Sequence, residues 1–121
     1  MRPLVLLVCL AAPAAGCSRK SDSYSVESLT ARLKDPNPDT RYQAARALGR
    51  LGAKARSAVP ALVEAVNDPD PAVRVGAVYG LSDIGAAAGE AVPALQQALK
   101  DRDREVAKGA AYALKQIQGK Q

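Results

Sequence analysis

The chain has 121 residues, enough for one small domain, with a formal net charge of +5 and 48% hydrophobic but only 3% aromatic residues. A core of Ala, Leu and Val without Phe or Trp suits closely packed helices and argues against a β-sandwich. There is no His, which removes the commonest general base and the commonest metal ligand.

The chain begins MRPLVLLVCLAAPAAGC, with Arg2 ahead of an apolar run over 4–15 and small residues leading to Cys17. This is the layout of a secretory signal peptide. The run is too short to cross a hydrocarbon layer of about 30 Å as a helix. The ending Ala14-Ala15-Gly16-Cys17 resembles a bacterial lipobox, with Ala14 where that motif usually has Leu. The resemblance implies a diacylglyceryl thioether on Cys17. Cysteine arithmetic agrees: Cys9 lies in the segment to be removed, so the mature chain carries one Cys, and lipidation accounts for it. Ser18, in place of Asp, implies by the same resemblance the periplasmic side of the outer membrane. The alternative is an ordinary cleaved signal and a secreted soluble protein. Residues 18–24, SRKSDSY, are polar and aperiodic and are expected to form a flexible tether reaching at most about 25 Å.

From residue 25 the chain repeats itself every 33 residues. Leu29, Leu62 and Leu95 align, as do Asp35, Asp68 and Asp101, and Leu48, Leu81 and Leu114. Fourteen of 33 positions are identical between 29–61 and 62–94, so the units share an origin. Such a period signals a stacked array of helical units. The expected units are 25–57, 58–90 and 91–118. Each holds two helical stripes. The first is Val26, Leu29, Leu33, repeated as Val59, Leu62, Val66 and as Val92, Leu95, Leu99. The second is Thr40, Ala44, Leu48, Leu51, repeated as Val73, Ala77, Leu81, Ile84 and as Val106, Ala110, Leu114, Ile117. Both spacings place apolar side chains on one helix face. Pro60 and Pro93 suit a first helical turn, and Pro36 and Pro69 a stop. Asn37, Asp70 and Asp103 are placed as N-caps, with Pro38 and Pro71 next. Gly52 and Gly85 sit where a helix ends in a left-handed residue. Gly76, Gly80 and Gly109 fall inside helices, at a cost of about 1 kcal/mol each unless close helix contact needs the room.

The stretch AVPALVEAVNDPDPAVR at 58–74, followed by GxxxLxxIG ending at Gly85, resembles the bacterial HEAT-like repeat of the phycobilisome-lyase type. The resemblance covers about 25–118. It implies an all-α fold, a short α-solenoid of three HEAT-like helical hairpins, with second helices on the concave face. It also implies a structural ladder of turn Asp and second-helix Arg, which falls on Asp35, Arg41, Asp68, Arg74 and Asp101. Ala107 replaces Arg in the third unit.

Solenoids bind along the inner face. Once the core stripe is subtracted, each second helix offers one surface trio: Tyr42, Arg46, Arg50; then Val75, Tyr79, Asp83; then Lys108, Tyr112, Gln116. Tyr and Arg are favoured at interfaces, although Tyr79 and Tyr112 could equally fill gaps between helices. Charge is uneven, at +5 over 29–61, −4 over 62–94 and +3 over 95–121. No continuous basic stripe for nucleic acid results. Anionic headgroups or an acidic protein patch fit the first unit better, and many of these charges are solvated surface. The expected function is a non-catalytic interaction module with a protein partner, held at a membrane by its lipid, with no cofactor and no metal. The alternatives are a structural lipoprotein that self-associates end to end and an accessory subunit of an envelope enzyme complex.

Overall fold

The computed structural model describes residues 24–119. The signal segment, Cys17 and the tether other than Tyr24 lie outside the described residues. Among the described residues there are six α-helices and no strand. They are α1 (Val26–Arg32), α2 (Pro38–Arg50), α3 (Val59–Ala65), α4 (Pro71–Ile84), α5 (Val92–Ala98) and α6 (Arg104–Gln118). Two 3₁₀ stretches, Gly52–Ala58 and Gly85–Ala91, carry the chain from one helical hairpin to the next. The result is a short α-solenoid of paired helices.

The helix boundaries follow local chemistry. Side chains of Asn37, Asp70 and Asp103 accept the backbone N–H of Asp39, Ala72 and Glu105, each at 2.8 Å. Each thus satisfies a donor that the first helical turn leaves without a partner. Pro38 and Pro71 follow the cap, where a missing N–H costs nothing. Ser25 caps α1 by accepting from the Ser28 N–H at 3.1 Å. The first helices end four residues ahead of Pro36 and Pro69. Their last turn is closed by tighter i→i+3 bonds such as Asp35 N–H to Arg32 C=O and Asp68 N–H to Ala65 C=O. Gly85 caps α4 with φ 74° and ψ −142°, a backbone region that is close to glycine-only.

The core is one continuous seam of Leu, Val, Ile and Ala. Leu48, Leu62, Leu81 and Leu95 are fully enclosed. The second-helix stripe Val73, Ala77, Leu81, Ile84 is buried along its whole length. So are alanines of the 3₁₀ stretches, Ala55, Ala58, Ala88 and Ala91, which the helical periodicity does not pick out. Leu99 departs from the expected stripe: it is 42% exposed, whereas Leu33 and Val66 at the same repeat position are 6% and 2% exposed. Among the described residues, no further helix covers it. Leu51 and Leu114 are half-buried and pack against the core.

The three second helices stack directly on one another as one layer, α2 on α4 and α4 on α6, while the first helices meet mainly through the 3₁₀ stretches. Mid-helix glycines permit this. A Cβ added at Gly80 would stand 2.6 Å from the Ala45 carbonyl oxygen, and one at Gly109 would stand 2.6 Å from Val78 Cγ2. The layer of second helices is therefore packed closely, backbone against backbone at Gly80, and only glycine fits there without a shift of the helices.

Candidate functional site

Two arrangements of polar side chains cross the unit boundaries. The first runs along the turns. Arg41 reaches from α2 to the turn of the second unit, with Nε 2.9 Å from Asp68 Oδ2 and Nη2 3.1 Å from Asp68 Oδ1. Arg74 does the same to Asp101, at 3.0 and 3.2 Å. The remaining nitrogen, Nη1, donates back to the chain's own turn: Arg41 to the carbonyls of Asp35 and Pro36, Arg74 to those of Asp68 and Pro69. Each arginine thereby ties its own turn to the next. The carboxylates also accept the backbone N–H of Asp70 and Asp103, at 2.9 and 2.8 Å. These are charge-assisted, bidentate contacts of the strong kind, in side chains only 10–16% exposed.

Titration reflects this geometry. The Asp68 hydrogen bond holds the Arg41 guanidinium above its ordinary value, against the effect of burial. Burial works against the charged form of Asp101, but the Asp103 N–H and Arg74 outweigh it and hold the carboxyl below the usual aspartate range. Asp35 accepts the Asn37 N–H at 2.8 Å. It stands in the first unit, where no earlier unit supplies an arginine among the described residues. Ala107, at the arginine position of α6, leaves the other end without a donor.

The second arrangement lies on the layer of second helices. Arg46, Tyr79 and Tyr112 occupy the same repeat position on α2, α4 and α6, and they form a row. The Arg46 guanidinium lies 5.8 Å from the Tyr79 ring centroid, within cation–π range. The Tyr79 and Tyr112 rings are 6.4 Å apart and tilted by 42°. On one side of the row stand Tyr42, Val75 and Lys108, and on the other Arg50, Asp83 and Gln116. Arg46 Nη2 is 3.8 Å from Asp83 Oδ2, too long for a hydrogen bond. Arg46 Nε is covered and without a partner.

The tyrosines divide. Tyr42 lies against Gly76, where an added Cβ would stand 2.7 Å from its Cδ1. Tyr79 lies against Gly109, at 3.1 Å from its Cε2, and packs on the core. Both tyrosines are seated on glycines of the following helix, and the signal for those seats was in the sequence as glycines inside helices. Tyr112 has no following helix among the described residues and is 50% exposed. Arg50, Asp83, Lys108 and Gln116 are exposed, and Arg46 is 30% exposed. The layer thus presents one polar and aromatic surface about three helices wide.

A family model described as HEAT repeats matches residues 26–115. The crystal structure of an engineered protein, a structural-genomics target, matches with a TM-score of 0.62 and 29% identity, over 76% of this chain. The chain spans 44% of the length of that protein. None of the curated proteins compared with the chain matches it.

Proposed function

The chain belongs to the HEAT repeat family, and from that premise we propose that it is a non-catalytic protein-interaction scaffold, held at a bacterial envelope membrane by a lipid on Cys17. The observation that carries the scaffold role is the row Arg46–Tyr79–Tyr112 with its exposed flanks. It offers amphipathic rings and a guanidinium on a rigid helical layer, which is the chemistry of protein interfaces. The fold supplies the shape, for stacked repeats bind along such faces. A chain without His lacks the commonest general base, which favours recognition over catalysis. The anchor rests on the sequence of residues 1–17, and the phycobilisome-lyase type rests on the repeat motif at 58–85. No helix among the described residues is long and apolar enough to cross a membrane.

Two measurements test this. A photo-crosslinking residue placed at Tyr112 in the native envelope should trap a defined protein, whereas one at Lys54, in the first 3₁₀ stretch, should not. Equal trapping from both positions, or none at Tyr112, removes the scaffold face. Mass spectrometry of the mature N-terminus should find diacylglyceryl Cys17 as the first residue. An unmodified chain that begins elsewhere removes the anchor.

One observation favours a second role, end-to-end self-association: Leu99 is open to solvent at a repeat position that is buried in the other units. Ala107 gives that end no ladder donor, and both outer units carry net positive charge, which works against head-to-tail stacking. Sedimentation at rising concentration decides, and a strict monomer removes the self-association role.

A further inference from the structure

We propose that the second-helix face takes an acidic, extended peptide segment of its protein partner, with a partner carboxylate bound by Arg46 in place of Asp83. This rests on the scaffold role above and adds the chemistry of the partner. The face carries three cations, Arg46, Arg50 and Lys108, against one carboxylate, Asp83. The decisive detail is the state of Arg46. In the ladder, Arg41 and Arg74 each use the Nε–Nη2 edge to grip a carboxylate with two hydrogen bonds. In Arg46 the same edge is unfilled: Nε has no partner, and Nη2 stands 3.8 Å from Asp83. Both side chains are partly exposed, at 30% and 43%, so the pair is loose and open to exchange. A carboxylate that draws the guanidinium outward completes the two-pronged contact already used twice in the same molecule.

Size and shape agree with an extended segment. Three packed helices at about 8–10 Å spacing set the outer two roughly 16–20 Å apart. An extended chain rising about 3.3 Å per residue crosses that distance in about six residues. Its alternate side chains would meet the cations and the Tyr79–Tyr112 ring pair in turn.

The test uses the full-length chain in detergent and three labelled octapeptides, in which Glu, Lys or Ser alternates with Leu, read by fluorescence anisotropy. The Glu peptide should bind at least about tenfold more tightly than the other two. That margin should shrink between about 0.05 and about 0.3 M salt as exposed charges are screened. Arg46→Ala should abolish the preference, and Asp83→Asn should tighten Glu-peptide binding about threefold or more by removing the competing carboxylate. Thermal melts of both variants establish that they fold. Equal or better binding of the Lys or Ser peptide, an unaffected preference in folded Arg46→Ala, or no binding of any peptide overturns the proposal. The failures are distinguishable. A Lys or Ser peptide that binds and is lost with Tyr112→Ala removes the acidic partner and leaves the scaffold face standing. Loss of Tyr112 crosslinks in the envelope removes the scaffold face itself.

Discussion

The second and third units follow the same repeat pattern but live in different surroundings. Helix α4 is enclosed between α2 and α6, and even its Val78, Gly80 and Ser82 are buried. Helix α6 has, among the described residues, a second-helix neighbour on one side only, and in the third unit both Tyr112 and Leu99 are exposed. Arg74 holds a rung to the next unit, while Ala107 at the same place holds none. In a stacked array, then, the fate of a side chain depends on its repeat position and also on how many neighbours its unit has. The middle unit is fixed by contacts on both sides. The third unit has spare surface among the described residues.

The sharpest way to break this contrast is truncation at the two equivalent leucines. Leu81→Ala, in the enclosed helix, should cost about 2–5 kcal/mol, much of what a domain this small possesses. Leu114→Ala, at the half-buried equivalent, should cost less than half as much. Equal losses in urea unfolding would show that the third unit is as tightly enclosed as the second.

Next in size is the spacing of the inner layer. Gly80→Ala should lower stability by about 1–3 kcal/mol through overpacking against the Ala45 carbonyl. That exceeds the gain of about 1 kcal/mol in helix propensity. Gly89→Ala meets open space and has no positive φ, so it should raise the melting temperature slightly. A stabilised Gly80→Ala would mean that α2 and α4 are not in close contact.

The ladder gives a comparable but pH-sensitive effect. Arg74→Ala should cost about 1.5–3 kcal/mol, the range for hydrogen bonds to charged groups. Asp35→Ala, on a carboxylate with no arginine rung, should cost much less. The Asp101 carboxyl is held below the ordinary value of 3.8 in the folded chain. Its contribution is therefore fully present above that value and is lost as pH falls through the lower, folded value. Acid titration of stability should be shallower in Arg74→Ala than in the parent. Identical acid limbs would show that Arg74 does not set this titration.

The smallest effect is expected at the open end. Leu99→Gln should change stability by no more than about 0.5 kcal/mol. A larger loss in a monomeric sample would mean that Leu99 is covered after all.

Much of this architecture was legible because repeat sequences state each rule three times. Asn37, Asp70 and Asp103 cap their helices, and Val73, Ala77, Leu81 and Ile84 face inward, as the spacing predicts. Leu99 could not be placed by periodicity, since its letter matches buried positions and yet it is exposed among the described residues. The buried Ala55 and Ala88 were hidden for another reason: they lie where the backbone leaves helical geometry, so no 3.6-residue stripe passes through them. On the candidate face, register alone brought Arg46, Tyr79 and Tyr112 together. That Tyr79 is seated on Gly109 while Tyr112 is half exposed depends on the stack, and so does the unpartnered Nε of Arg46.

The bends at Ala55 (φ −92°, ψ 16°) and Ala88 (φ −98°, ψ 25°) have a mechanical consequence. They sit in a thinly populated backbone region on the side where neighbouring units touch least, opposite a layer whose backbones already abut at Gly80. A change of backbone angle at these two joints would tilt one unit on the next while the Gly80 contact kept its spacing, like the links of a watch strap.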